Sequence, residues 1–218
     1  MEFRFDIVKE YAYLFLEGTL LTIGLSLAGI VIGLIMGLFI GIGKLSKNKW
    51  INIPLDWYIT FFRGTPLFVQ ILLIHFGAVP FIIGDTNAIF AGITSLSLNA
   101  AAYIAEIFRA GIQSIDKGQM EAARSLGMNH SESMLHVILP QAVKRMIPPL
   151  GNEFIVLIKE SSLLAIIAVP ELMYWGRAMQ GQYYRVWEPY ITVALIYLVL
   201  TLTLSKLLNF VERKWATG

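Results

Sequence analysis

Five stretches of this chain match the length and polarity of a lipid bilayer better than those of a water-soluble core, and that feature constrains everything else. A helix needs roughly 20 mostly apolar residues to cross about 30 Å of hydrocarbon. The stretches run from about Thr19 to Ile42, Ile59 to Ile82, Ala88 to Phe108, Gly151 to Val169 and Trp187 to Leu208. Of the 218 residues, 56% are hydrophobic and only 15% charged, whereas about a quarter of an average soluble domain is charged. The chain therefore reads as an all-α integral membrane protein with five transmembrane helices. No internal repeat or low-complexity linker divides it, so residues 1–218 are expected to form one domain.

The stretches differ in character. The first carries Gly24, Gly29, Gly33, Gly37 and Gly41 at spacings of four or five, a small-residue face that lets a neighbouring helix come close. The second is interrupted by Arg63, Gly64 and Pro66, and bracing that break is the expected role of Arg63. The third holds Thr94, Ser95, Ser97, Asn99 and Glu106. The fourth contains Glu153, Lys159, Glu160, Ser161 and Ser162 and is the least lipid-like. Cysteine is absent and there are three histidines, so neither a disulfide framework nor a metal cluster is expected. His75, His130 and His136 lack paired ligand spacing. The small net charge of +2, spread between the stretches, argues against a nucleic-acid partner. The start, with Glu2, Arg4, Asp6 and Lys9, lacks the pattern of a removable signal.

Basic residues are retained on the cytoplasmic side of short loops. Lys44, Lys47 and Lys49 follow the first stretch; Arg109, Lys117, Arg124, Lys144 and Arg145 follow the third; Arg213 and Lys214 follow the fifth. With five spans all three groups share one side, which places the N-terminus outside and the C-terminus inside. The outer face then receives the segment from Glu171 to Arg185.

Between the third and fourth stretches, residues of about 110–148 are too polar to insert and too few for an independent domain. They read as two short helices joined by a turn. Asp116 and Gln119 have the spacing of a capping box, as do Asn129 and Glu132. Gly127 suits a left-handed helix end, and Pro140 is expected to kink or end the second helix. No Phe, Tyr or Trp lies between Phe108 and Phe154, which argues against a helix resting on the membrane surface.

Glu121, Ala122, Ala123, Gly127, Ile138, Leu139 and Pro140 resemble, in identity and spacing, the Glu-Ala-Ala loop of ATP-binding-cassette (ABC) importer permeases. Arg63-Gly64-Thr65-Pro66-Leu67 with Val69-Gln70, and Gly151-Asn152-Glu153-Phe154-Ile155 with Lys159-Glu160-Ser161-Ser162-Leu163 and Glu171-Leu172, are similar to signatures of the polar amino-acid permeases, with Ser161 where Thr is commoner. The resemblance implies a type I ABC importer permease fold whose loop is a coupling helix, with Glu121, Ala122, Ala123, Gly127 and Pro140 at the contact with an ATPase. It also implies alternating access in a bacterial-type cytoplasmic membrane, a separate ATPase subunit that binds ATP and magnesium, and an extracytoplasmic amino-acid-binding protein. The segment from Glu171 to Arg185 is the expected contact with that protein.

The chain has no phosphate-binding Gly-x-x-x-x-Gly-Lys-Ser/Thr loop, so ATP hydrolysis has to come from a partner. No catalytic residue, resident cofactor or metal is expected. Five spans enclose too little for a gated path alone, which calls for a second permease, identical or a paralogue. Ionisable groups at membrane depth normally face the bundle interior or a wet cavity. Lys159 and Glu160 are expected to tie spans together, and Glu106 to brace the loop against Arg109 or Arg124. Glu153 either receives the cationic side chain of arginine, lysine or histidine, or pairs with a basic residue of another span, or is solvated. Asn99, Thr94, Ser97 and Gln70 are the other candidate substrate contacts, against a plain role in helix packing. Glutamine or another polar amino acid is the alternative cargo, and a self-contained secondary carrier the rival machine.

Overall fold

The computed structural model describes residues 3–46 and 48–216. Met1, Glu2 and Lys47 lie outside the described residues, as does the side chain of Lys214. The described residues are helical with short connections and no strand.

Helix α1, Phe5–Lys44, has 40 residues and is about 60 Å long at 1.5 Å per residue, roughly twice the hydrocarbon thickness. The expected first span is its inner part. Its N-terminal turns are helical despite Asp6, Lys9, Glu10 and Glu17 because Ile7, Tyr11, Phe15 and Gly18 recur on one side and are buried. They pack against Leu172, Met179 and Val193 in a separate cluster.

Along its inner part α1 meets α5, Ala88–Gln113, in matched steps of four. Gly29, Gly33, Gly37 and Gly41 face Leu96, Ala100, Ile104 and Phe108 respectively. A Cβ on Gly33 would lie 2.8 Å from the Ala100 methyl and one on Gly37 2.7 Å from Ile104, closer than carbon atoms pack. From Gly29 to Gly41 the glycine face expected from the sequence is thus the seam of a tightly apposed parallel pair, whereas Gly24 has open space beside it.

The second expected span is not a single helix. Helix α2, Lys49–Gly64, ends at Thr65 and Pro66, and the chain turns by 110° into Leu67–Ile83. Proline disfavours helical geometry in its predecessor, and Thr65 is accordingly extended at φ −116°, ψ 147°. The second limb comprises α3, Leu67–Leu73, a π-helical turn at Ile74–Ala78 and α4, Val79–Ile83.

That π turn immediately precedes Pro80, and a second one, Met134–Ile138, immediately precedes Pro140. In each, the amide just before the proline donates to the carbonyl five residues back, Val79 to Ile74 and Leu139 to Met134. The wider turn absorbs the missing proline donor. Pro140 therefore does not end the helix as expected; the chain continues as α8, Leu139–Glu160, through Pro148 and Pro149. The polar segment is correspondingly shorter than residues 110–148, since α5 reaches Gln113 and α8 starts at Leu139.

Between them lie α6, Lys117–Ser125, and α7, His130–Ser133. After α8 come a 3₁₀ helix, Ser161–Ile167, then α9, Leu172–Tyr183, and α10, Trp187–Ala216. Phe5–Lys44, Ala88–Gln113 and Trp187–Arg213 are long and apolar enough to cross a membrane, and the bent pair Lys49–Gly64 with Leu67–Ile83 qualifies when taken together. The fourth expected span is not among these. Its helix α8 carries Lys144, Arg145, Glu153, Lys159 and Glu160 and is the polar member of the bundle.

Candidate functional site

Two regions carry the candidate residues: the polar hairpin between α5 and α8, and the polar groups set among the apolar helices.

In the hairpin, Asp116 caps α6 by accepting the Gly118 amide at 2.7 Å. The expected box with Gln119 does not form; its side-chain Oε1 instead accepts from Gln141 Nε2 of α8 at 3.3 Å. The box at Asn129 does form: Asn129 accepts from the Glu132 amide at 3.0 Å, and Glu132 accepts from the Asn129 amide at 2.8 Å. Gly127 between the helices is left-handed at φ +90°. The hairpin is rooted in a cluster of Ile115, Ile138, Ala142 and Met146, against which Ile107, Phe108 and Ile112 of α5 and Met120 of α6 pack. Arg145 adds a hydrogen bond to the Ser114 carbonyl.

Ala123 faces inward, whereas Glu121, Ala122 and Gly127 face outward and Pro140 is exposed. Leu126 is 85% exposed and Leu135 59% exposed. Apolar side chains this bare at a polar end invite cover by another protein. The residue-type reading missed both leucines as contact positions, although an apolar residue beside a helix-ending glycine is the available signal.

The polar groups among the apolar helices divide differently. Gln70 Nε2 donates to the carbonyls of Phe62 at 2.8 Å and Thr65 at 3.0 Å. Asn99 Nδ2 donates to Gln70 Oε1 at 3.0 Å and to the Phe62 carbonyl at 3.3 Å. These two amides satisfy backbone groups freed where α2 breaks, a requirement inside a membrane. The break is therefore not braced by Arg63. Its guanidinium lies 3.4 Å from Glu106 and over the Tyr103 ring at 5.4 Å. Glu106 also accepts from Arg109 at 3.0 and 2.7 Å, which fulfils the expectation for Arg109 and not that for Arg124. Ser97 returns its hydroxyl to its own helix, at the Ile93 carbonyl 2.7 Å away. Thr94 is half-buried.

Glu153 stands apart. It is 8% exposed on the same buried face of α8 as Met146 and Leu157. Among the described residues it makes neither an ion pair nor a hydrogen bond to Asn99, Gln70, Thr94 or Ser97. Lys159 and Glu160 at the end of α8 form no ion pair among the described residues either, contrary to the expected tie between spans.

On the far side, Glu171 is wholly buried. It accepts from the amides of Met173 at 2.9 Å and Tyr174 at 2.8 Å, from the Tyr197 hydroxyl at 2.8 Å and from Thr22 at 3.4 Å. A carboxylate before an apolar helix start is an N-cap signal, but its ties to α1 and α10 were not readable from spacing. Glu171 itself is closed off from any partner protein, whereas Arg177 and Tyr184 of the same segment are exposed.

The chain is similar to known transport proteins in both sequence and fold. Residues 29–217 match the family described as binding-protein-dependent transport system inner membrane component. A putative glutamine transport system permease protein of Rickettsia bellii is 39% identical over 199 residues, covering 91% of each chain. The arginine transport system permease protein ArtQ of Bacillus subtilis is 40% identical over 203 residues, again 91% of each. A solved structure, of an amino acid ABC transporter with histidines, superposes with a TM-score of 0.93 at 47% identity, covering 98% of this chain and all of the other. Inward-facing forms of the methionine transporter MetNI share the fold, with a TM-score of 0.80 at 20% identity.

Proposed function

The chain belongs to the binding-protein-dependent transport system inner membrane components and is an amino-acid ABC importer permease, and from that premise we propose that its cargo is a basic amino acid held by Glu153. The observation carrying this reading is the unpaired, nearly buried carboxylate of Glu153 on the inner face of α8. A carboxylate withdrawn from water without a partner is costly, and a cationic ligand supplies the missing charge. Arginine, lysine and histidine side chains fit that need. Glutamine does not supply a charge, and it stays as the alternative because one similar permease is named for glutamine and another for arginine.

The permease is one domain over residues 1–218 with five spans, the bent pair counting as the second and α8 with its 3₁₀ extension as the fourth. The N-terminus lies outside and the C-terminus inside. A second permease, identical or paralogous, completes the path around a twofold axis. Partner ATPase subunits, which bind ATP and magnesium, grip the hairpin through Glu121, Ala122, Gly127 and the bare Leu126 and Leu135. Because the hairpin shares a packed cluster with α5 and α8, displacement of α6 moves the helix that carries Glu153 rather than bending a loop. ATP binding draws the hairpins together and opens the site outward, and hydrolysis returns it inward. An extracytoplasmic binding protein delivers the amino acid. Gln70, Asn99 and Ser97, engaged with backbone carbonyls, are supports of the site, while Thr94 remains a candidate contact.

The test is uptake by proteoliposomes holding the permease with its ATPase subunits and binding protein. Labelled L-arginine is expected to accumulate only with internal or external ATP at the ATPase face, and to outcompete L-glutamine. Uptake driven by an ion gradient without the ATPase subunits would sink the importer reading, and preference for glutamine would sink the cargo reading.

A further inference from the structure

Between the end of the 3₁₀ helix and α9 lies a cleft of about 420 Å³ lined by Ala165, Ile166, Ala168, Tyr174, Arg177 and Gln180 together with Ala178. Its polar groups are one guanidinium, one phenol and one amide, and no carboxylate lines it. Arg177 is exposed and makes one hydrogen bond, to the Ala165 carbonyl, at 3.4 Å. That distance is at the weak limit for N–H···O contacts. No ion pair of Arg177 occurs among the described residues.

One wall of the cleft is anchored by hydrogen bonds. Glu171 pins the first turn of α9 through the amides of Met173 and Tyr174 and ties it to Thr22 of α1 and Tyr197 of α10. Arg177 and Tyr174, three residues apart, fall on one side of that helix. The opposite wall ends in Ala168, left-handed at φ 61°, a conformation that a residue with a Cβ adopts only when its surroundings hold it there. A guanidinium with loosely used donors on an anchored helix, beside a neutral hydrogen-bonding pair, is a group that takes up a carboxylate through two parallel bonds.

We infer that Arg177 receives the α-carboxylate of the incoming amino acid at the outer mouth of the permease. The inference rests on the proposed orientation and on amino-acid transport, and it adds an entry subsite to the deeper one at Glu153. Ala165, whose carbonyl Arg177 touches, lies twelve residues along the chain from Glu153, about 20 Å of α and 3₁₀ helix. A single amino acid does not reach both points, so the two carboxyl-related contacts are successive. The mouth selects the backbone end common to all amino acids, and the interior selects the side chain.

The test uses the assembled complex without binding protein, titrated calorimetrically with two ligand pairs. L-arginine is compared with agmatine, which has the same side chain and no carboxylate, and L-glutamine with 4-aminobutanamide, its decarboxylated counterpart. In the wild type, whichever amino acid binds should do so at least tenfold more tightly than its counterpart. Arg177→Ala should bring that ratio close to one without weakening the decarboxylated ligand, and Arg177→Lys should restore part of it. A ratio unchanged in Arg177→Ala overturns the inference. So does a variant that keeps the ratio but needs a higher binding-protein concentration for half-maximal ATPase stimulation, which assigns Arg177 to an acidic side chain of that protein. Which pair binds bears on the cargo reading alone, so the two failures are separable.

Discussion

The hairpin at 116–140 and the cluster around the break at Thr65–Pro66 are both polar features in an apolar protein, yet they are finished in opposite senses. The hairpin settles its polar groups locally, with the Asn129–Glu132 box and the Asp116 cap, and leaves apolar Leu126 and Leu135 bare. The break settles its polar groups across helices, with Gln70 and Asn99 donating to backbone carbonyls, and the apolar side chains it exposes, Phe61 and Phe68, belong to an apolar stretch rather than to a polar end. An uncovered apolar side chain in water asks for a partner, and an engaged amide in hydrocarbon asks for none. Glu153 belongs to neither class, because it is withdrawn from water and unengaged.

Changes at the break are expected to cost the most. Gln70→Leu removes the Gln70 donor of the Thr65 carbonyl and the Gln70 acceptor of Asn99, while the Phe62 carbonyl keeps its bond from Asn99, a loss on the order of 2–4 kcal/mol for two unmade bonds. The melting temperature of the purified permease should fall by several degrees. Loss of ligand affinity at unchanged melting would show instead that Gln70 is a ligand contact. Leu126→Asp should do the reverse. Folding is untouched, while affinity for the ATPase subunits drops by about 2 kcal/mol, as for a central interface residue, seen in pull-down titrations and in ATPase rates. Unaltered assembly would refute the hairpin's docking role. Gly127→Ala, at φ +90°, should cost about 1 kcal/mol through left-handed strain and weaken coupling only modestly, read as fewer amino acids moved per ATP. The smallest effect belongs to Asp56→Asn, which removes the ion pair with Lys44 between α1 and α2. Asp56 is largely exposed, so less than about 1 kcal/mol is expected, and it should vanish at high salt.

The difference between the regions also explains what was legible in the sequence. Caps and turns are local chemistry. The Asn129 box, the Gly127 turn and the glycine seam on α1 follow from residue type and spacing, and the structure has them. Gln119 was misjudged because a side chain from α8, Gln141, claims it, and no spacing rule within the hairpin contains α8. Pro140 and Pro80 sit inside continuing helices because π turns precede them, an accommodation that tertiary packing selects. Polar residues at membrane depth stand out in the sequence. Which of them serve the backbone and which stand free depends on where the α2 break falls against α5. Only the fold discloses that Asn99 meets the Phe62 carbonyl while Glu153 meets no partner among the described residues.

That free carboxylate is the most exposed part of the account, and its neutral isostere tests it. With the complex reconstituted in lipid and stimulated through its binding protein, ATP hydrolysis is measured with L-arginine and with L-glutamine for the wild type and for Glu153→Gln. The account predicts that arginine stimulation falls at least tenfold relative to glutamine in the variant, which is about 1.4 kcal/mol of lost charge recognition. An arginine-to-glutamine ratio unchanged by the substitution would contradict it.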